Sequence, residues 1–484
     1  MGWDGFRDSN TPSLPDPNVP ASPDTSYLTC RVHARYYALI HHLLNWTFPP
    51  QMSRANRIVI VGGGIAGLML ATRLGRTLGR AGAARVTLVD SHPTHLWKPM
   101  LHTVAAGTCD VAHSQVAYLS HACSNGFTYQ AGRMSGLDRE RREIVLEEME
   151  GHDGKRLLSE RRVPYDALVL ALGSQADDAS LPGVRDVCHF IDSQPQATAF
   201  NAALHCESLR SAVNDDALRI VIAGGGTTGV ALAAELSRTF AMAAGYGDPQ
   251  ICERLKLTLI ERGPRLLGAF PPDVSASTQD QLEQLGFRVL TDTRVVCADR
   301  DGFYRDDGQL IPGDLLVWAA GVKAPDCLRG IGGLTTNAAN QVVVRATLQT
   351  AQDERIFALG DCASFTSSGV GQDEYALPPT AQVATQQAAH LGRHLGAWLE
   401  GRAIPPFAYR DPGASLSLSG YNASGALGRF GFFKGGIVRG RFAQWSHAML
   451  YRRHQHALHG FARATVLLSA EKLGGLRGPR IRLA

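Results

Sequence analysis

Apolar positions along this chain gather into short β-branched runs that break at glycine. Arg57-Ile58-Val59-Ile60-Val61 ends in Gly62-Gly63-Gly64-Ile65-Ala66-Gly67 and resumes as Leu68-Met69-Leu70-Ala71. The pattern predicts a buried strand, a tight turn and the first turn of a helix. A second run, Arg85-Val86-Thr87-Leu88-Val89, closes on Asp90. Further on, Arg219-Ile220-Val221-Ile222-Ala223 leads into Gly224-Gly225-Gly226-Thr227-Thr228-Gly229, and Lys256-Leu257-Thr258-Leu259-Ile260 ends in Glu261. A third pair follows in the same order: Tyr165 to Gly173 against Gly313 to Gly321. Three paired segments in one order predict two copies of one α/β unit.

The glycine spacing says what such a unit holds. In G-x-G-x-x-G, Gly62 permits the sharp turn and Gly64 lets a pyrophosphate approach the backbone. Gly67 lets helix pack on strand, and the free N–H groups of the helix start face the phosphates. An acid ending the second strand can accept hydrogen bonds from a ribose 2′-hydroxyl, so Asp90 and Glu261 are placed beside two dinucleotides. Glu261 favours NADH by repelling a 2′-phosphate, while Arg262 could bind that phosphate, so both nucleotides stay open on this ground.

At 484 residues, 44% hydrophobic and 19% charged, the chain has room for two or three globular domains. Net charge is only +4, but Arg439 to Ala484 carries nine Lys/Arg against Glu471, a tail of +8 on a body near −4. Such a tail suits an anionic surface, membrane or nucleic acid. The nine cysteines include no C-x-x-C and no metal-ligand spacing, which points to a reducing compartment and structural thiols. No apolar run reaches the roughly 18 residues of a spanning helix. Residues 1–51 are rich in Pro, Ser, Asp and Thr up to Tyr27, and are expected to be either a disordered extension or sequence before a true start at Met52.

The insertion His92-Pro93-Thr94-His95-Leu96-Trp97-Lys98-Pro99, with Leu101-His102 and Val104-Ala105-Ala106-Gly107, resembles the type II NADH:quinone oxidoreductases. Arg355-Ile356-Phe357-Ala358-Leu359-Gly360-Asp361 resembles the late flavin motif of the same superfamily, and Ala381-Gln382-Val383-Ala384-Thr385-Gln386 its A-Q-x-A-x-Q signature. The resemblance implies two Rossmann-like domains in a glutathione-reductase-like α/β fold, the second inserted in the first, plus a C-terminal membrane-associating segment. Its divisions are 52–214 and 346–408 for FAD, 215–345 for NADH, and 409–484 for the C-terminal strands and basic helices.

By that resemblance, tightly bound FAD is expected at Gly62, Gly64, Ala66, Gly67, Asp90, Ser91, Lys98, Gly173, Gly360, Asp361, Ala381 and Gln382. NADH is expected at Gly224, Gly226, Gly229, Glu261, Ala320 and Gly321. Gln382 and Gln386 lie four apart on one helix face, where uncharged amides can donate to quinone carbonyls without burying charge; a solvent-facing helix start is the plainer reading. Lys98 could offset charge on a reduced flavin or be a solvated loop residue. The family's glutamate after Gly-Val in the second cradle helix is here Ala231, and Glu235, one turn on, is the candidate substitute.

The expected partners are NADH, a membrane quinone and an anionic membrane surface, with a homodimer open and no nucleic acid. The expected location is peripheral, on the cytoplasmic face of the inner membrane. His454, His456 and His459 read as satisfied or solvated rather than as a metal site. Two alternatives stand beside the first reading. One is a sulfide:quinone oxidoreductase, with Cys188 and Cys362 as its thiols, or another NAD(P)H-flavin oxidoreductase; the other is a non-enzymatic NADH-responsive flavoprotein.

Overall fold

Ile58, Val59, Ile60 and Val61 are at most 3% exposed, because their strand is covered on both faces and flanked on both edges. That burial is why the run carries no polar alternation. The computed structural model describes residues 55–109, 111, 115–151, 154–246, 250–367, 375–410, 414–416, 424–426, 437–439, 452, 454–460, 464–466 and 469. The expectations for residues 1–51 and Met52 lie outside the described residues, as does most of the basic tail.

In chain order, β1 (Asn56–Val61) feeds α1 (Ile65–Leu74), β2 (Ala84–Asp90), α2 (Leu101–Ala105), β3 (Thr128–Ala131) and β4 (Ala167–Leu170). A short crossover, β5 (Gln175–Ala176), and α3 (Gln194–Asn214) lead to a second unit of β6 (Leu218–Ala223), α4 (Thr227–Tyr246), β7 (Leu255–Ile260), β8 (Phe287–Leu290) and β9 (Leu315–Trp318). The chain returns through β10 (Val322–Lys323) to β11 (Ile356–Ala358) and α5 (Ala381–Leu399).

The first sheet has the order β11-β4-β1-β2-β3 and the second β8-β7-β6-β9. β11 joins the first sheet only after the second is complete, so the second unit is inserted in the first. Corresponding strands pair in parallel: Ile58 with Ala167 and Val86, Ile220 with Leu315 and Leu257.

The repeat extends beyond the segments legible in the sequence. Each unit carries an antiparallel three-stranded sheet before its last paired strand, at 134–164 in one and 295–312 in the other. At the foot of β1 the Arg57 guanidinium grips Asp166 at 2.9 and 3.0 Å, and at the foot of β6 Arg219 grips Asp314 at 2.7 and 3.1 Å.

The insertion after β2 packs on the second unit. Leu101, Val104 and Ala105 share a core with Phe200 and Val230. Three hydrogen bonds fix the contact: Asn201 to the Ala105 carbonyl at 3.1 Å, Thr239 to the Ala106 carbonyl at 2.8 Å, and Thr108 to the Glu235 carboxylate at 2.9 Å.

Candidate active site

The two cradles match glycine for glycine. Gly62 and Gly224 hold φ of +103° and +118°, which only glycine adopts without strain. A Cβ on Gly67 or Gly229 would meet the carbonyl oxygen of Gly62 or Gly224 at 1.8 or 2.0 Å. A Cβ on Gly64 or Gly226 would meet nothing within 4 Å, so both face open space at a helix start. These are the properties a pyrophosphate requires, and the residues present fit FAD and NADH.

Each acid is held by its own loop. The Asp90 carboxylate accepts the N–H of Gly63 at 2.6 Å and of His92 at 2.8 Å. Glu261 accepts the N–H of Gly225 at 2.8 Å and of Gly263 at 2.6 Å. The middle glycine has a packing reason that its spacing does not announce: a Cβ on Gly63 would collide with the Tyr118 hydroxyl at 2.3 Å. Tyr118 donates to the Gly63 carbonyl at 2.8 Å, and burial holds it protonated by pushing its pKa well up.

The ends of β4 and β11 meet below the first cradle. Gly173 and Gly360 adopt positive φ. The Ser174 hydroxyl donates to Asp361 at 2.7 Å, and the Lys98 ammonium donates to the Ser174 carbonyl at 2.8 Å. Lys98 is therefore a positioned group, with Asp192 at 3.3 Å on its other side. The buried amide of Gln387 accepts the Gly360 N–H at 2.7 Å. Neither Asp192 nor Gln387 carried a sequence signal, since each acts through a contact distant along the chain. Ser91 is exposed beside His92, whose ring lies 3.2 Å away, Ala66 is buried in α1, and Ala381 opens α5. In the second unit Ala320 is half-buried, and the Gly321 carbonyl accepts the Asp177 N–H at 3.1 Å.

A cavity of about 770 Å³ opens between α1 and α5. Gln382, Thr385, Gln386 and Arg393 line one wall, Ile65 and Met69 another, and Pro405 to Ala408 and Arg410 with Trp97 and His454 complete it. Gln386 donates to the Arg410 carbonyl at 2.8 Å and accepts the Arg410 N–H at 3.0 Å, so its amide fixes the cavity wall.

His95 and His454 touch through their Nε2 atoms at 3.0 Å, and His95 Nδ1 lies 3.0 Å from the Gly63 carbonyl. A carbonyl only accepts, so His95 donates through Nδ1, and His454 donates Nε2–H to the remaining lone pair of His95. Burial drives both pKa values down, to about 4 and about 3, keeping both rings neutral. The 454–460 helix is tied to the first unit again by Arg76, which donates to the Leu458 carbonyl at 2.6 Å.

Glu235 is not among the cavity residues. It is 4% exposed in the α4 contact with Thr108, and Ala231 is 8% exposed on the same helix. Cys362 is fully buried, with its thiol pushed up to about 11, and Cys188 is pushed up to about 12, both by burial. Neither is a thiolate at neutral pH.

Two nucleotide cradles on one chain, with an apolar-walled cavity behind the first, define a two-dinucleotide oxidoreductase. Residues 56–388 match the pyridine nucleotide-disulphide oxidoreductase family. The chain belongs to that family, and within it to the type II NADH:quinone oxidoreductases. It is 39% identical over 446 residues to the type II NADH:quinone oxidoreductase of Haemophilus influenzae, covering 88% of this chain and 99% of that one. It is also 29% identical over 366 residues to the demethylphylloquinone reductase NdbB of Synechocystis, covering 75% and 84%. The fold matches NDH2 of Plasmodium falciparum in complex with NADH at TM-score 0.75 and 17% identity, over 89% of this chain and all of that one. It matches the sulfide:quinone oxidoreductase of Aquifex aeolicus at TM-score 0.64 and 15% identity, over 84% and 92%.

Proposed function

We propose that the chain takes hydride from NADH and delivers electrons to a quinone in the cavity beside Gln382 and Gln386. The observation that carries the reading is that cavity, set one helix away from a complete flavin cradle. Bound FAD supplies the hydride acceptor and the electron relay to the quinone. The protein supplies placement. Gly64 and the α1 start receive one pyrophosphate, and Gly226 and the α4 start the other. Ala320 and Gly321 offer a floor poor in side chains over which a nicotinamide can approach. No side chain needs to give or take a proton in hydride transfer, and catalysis there is orientation and exclusion of water.

On the acceptor side, Gln382 faces the cavity with an uncharged amide suited to a carbonyl oxygen, while Gln386 holds the wall at Arg410 in place. Two facts weigh against sulfide as donor: burial keeps Cys188 and Cys362 as thiols, and Cys362 points into the core, where it donates to the Leu359 carbonyl at 3.3 Å. Among the described residues no helix is long and apolar enough to cross a membrane. We place the enzyme at the cytoplasmic face of the inner membrane, with the basic segment against anionic lipid.

Anaerobic stopped-flow tests the reading. NADH should bleach the yellow protein within the mixing experiment, and a short-chain quinone added next should restore the colour at a catalytically competent rate. Bleaching that quinone does not reverse would overturn it in favour of an NADH-responsive flavoprotein.

A further inference from the structure

Lys98 sits on the loop after β2, and its side chain is 42% exposed. An exposed lysine ordinarily moves through many rotamers and its surface ion pairs are worth little, so the interest of this one is where it is held. Its ammonium donates to the Ser174 carbonyl at 2.8 Å, has the Ser174 hydroxyl at 3.3 Å, and has the Asp192 carboxylate at 3.3 Å. Three contacts match its three N–H donors. Ser174 in turn donates to Asp361 at 2.7 Å. Gly173, the preceding residue, has positive φ and open space where a Cβ would stand.

Asp192 is itself fixed from two sides. Its second oxygen accepts the Ala176 N–H in β5, and its own N–H donates to Gln196 at 3.0 Å. Gln196 belongs to the capping box that opens α3, with Ser193 as the N-cap. The carboxylate therefore stands at the junction of the outgoing crossover and the helix leading to the second unit, and its free side reaches back to Lys98. We propose that Asp192 is a positioning residue for the flavin reaction: it anchors Lys98 against the Gly173-Ser174 turn, so that the ammonium borders the cofactor and favours its anionic reduced form. The inference rests on the reading that the first cradle and Asp361 hold FAD.

The sign of one measurement separates anchoring from simple charge. If Asp192 only contributed a negative charge, removing it would make the flavin easier to reduce. If it anchors Lys98, removing it frees the ammonium and makes the flavin harder to reduce, as removing Lys98 itself does.

The midpoint potential of the bound flavin, read by dye equilibration, is measured for the wild type, Lys98→Met, Asp192→Asn, the double variant and Asp192→Glu. Lys98→Met should weaken reduction about tenfold, roughly 30 mV for a two-electron couple. Asp192→Asn, which keeps an acceptor for Ala176, should weaken it severalfold in the same direction and add nothing in the Lys98→Met background; Asp192→Glu should restore part of the loss. A rise in potential for Asp192→Asn, or full additivity with Lys98→Met, overturns the inference while leaving the cofactor assignment standing. Protein that stays colourless with added FAD sinks the assignment and this inference together.

Discussion

The side-chain oxygen of Gln387 accepts the N–H of Gly360 at 2.7 Å, tying helix α5 to the turn that carries Asp361. The contact joins the cavity helix to the end of β11, so one residue braces both. Gln387→Leu leaves a buried backbone donor without its partner, a penalty of about 1–3 kcal/mol. Thermal unfolding should shift down by several degrees and the purified protein should carry less than a full complement of flavin, measured by absorbance after denaturation.

The glycines of each cradle should separate by what a methyl group would meet. Gly67→Ala drives a Cβ into a carbonyl oxygen and should abolish soluble expression. Gly226→Ala has room in the folded chain and should leave flavin content unchanged while raising the KM for NADH about tenfold or more, near 1.4 kcal/mol. Gly64→Ala should do the converse, yielding folded protein that loses FAD on dialysis. Equal effects of Gly64→Ala and Gly226→Ala on both nucleotides would contradict the division of labour between the cradles.

The His95 and His454 contact predicts an acid limb in stability. Burial lowers the His95 pKa from 6.5 to about 4, so the folded state binds its proton later than the unfolded state does. Its contribution is fully present above pH 6.5 and is lost as pH falls towards 4. His95→Gln can still donate to Gly63 but does not titrate, so it should flatten the dependence of melting temperature on pH between 6.5 and 4. An unchanged slope in that variant would assign the limb to other groups.

Gln386 should show its role by which half-reaction suffers. Its amide makes both hydrogen bonds to the Arg410 backbone, so Gln386→Ala should loosen the cavity wall and raise the quinone KM severalfold. The rate of flavin bleaching by NADH in stopped-flow should stay within a factor of two. A comparable loss in the NADH step would mean that the residue serves the flavin directly.

The two-unit architecture was legible because the chemistry that makes it is local. A β-branched run, a glycine triplet and an acid at the end of the next strand lie within 33 positions in the first copy, Arg57 to Asp90, and within 42 in the second, Arg219 to Glu261. What stayed hidden is held by contacts across long sequence distances. Asp192 lies 94 positions from Lys98, and Arg57 grips Asp166 109 positions on. Glu235 was marked by its helical spacing from Ala231, but spacing gives a face and not a neighbour. The face it occupies packs on Thr108 of the insertion, a contact that depends on how two sheets dock.

The chain leaves its first sheet through β5 and returns through β10, and these two segments pair antiparallel, Gln175 with Lys323 and Ala176 with Val322. Exit and re-entry thus lie side by side, a narrow neck for the inserted unit. The neck is not the whole attachment, because the insertion after β2 leans on that guest, and dividing the polypeptide there would strip cover from the apolar face that Leu101, Val104 and Phe200 now share.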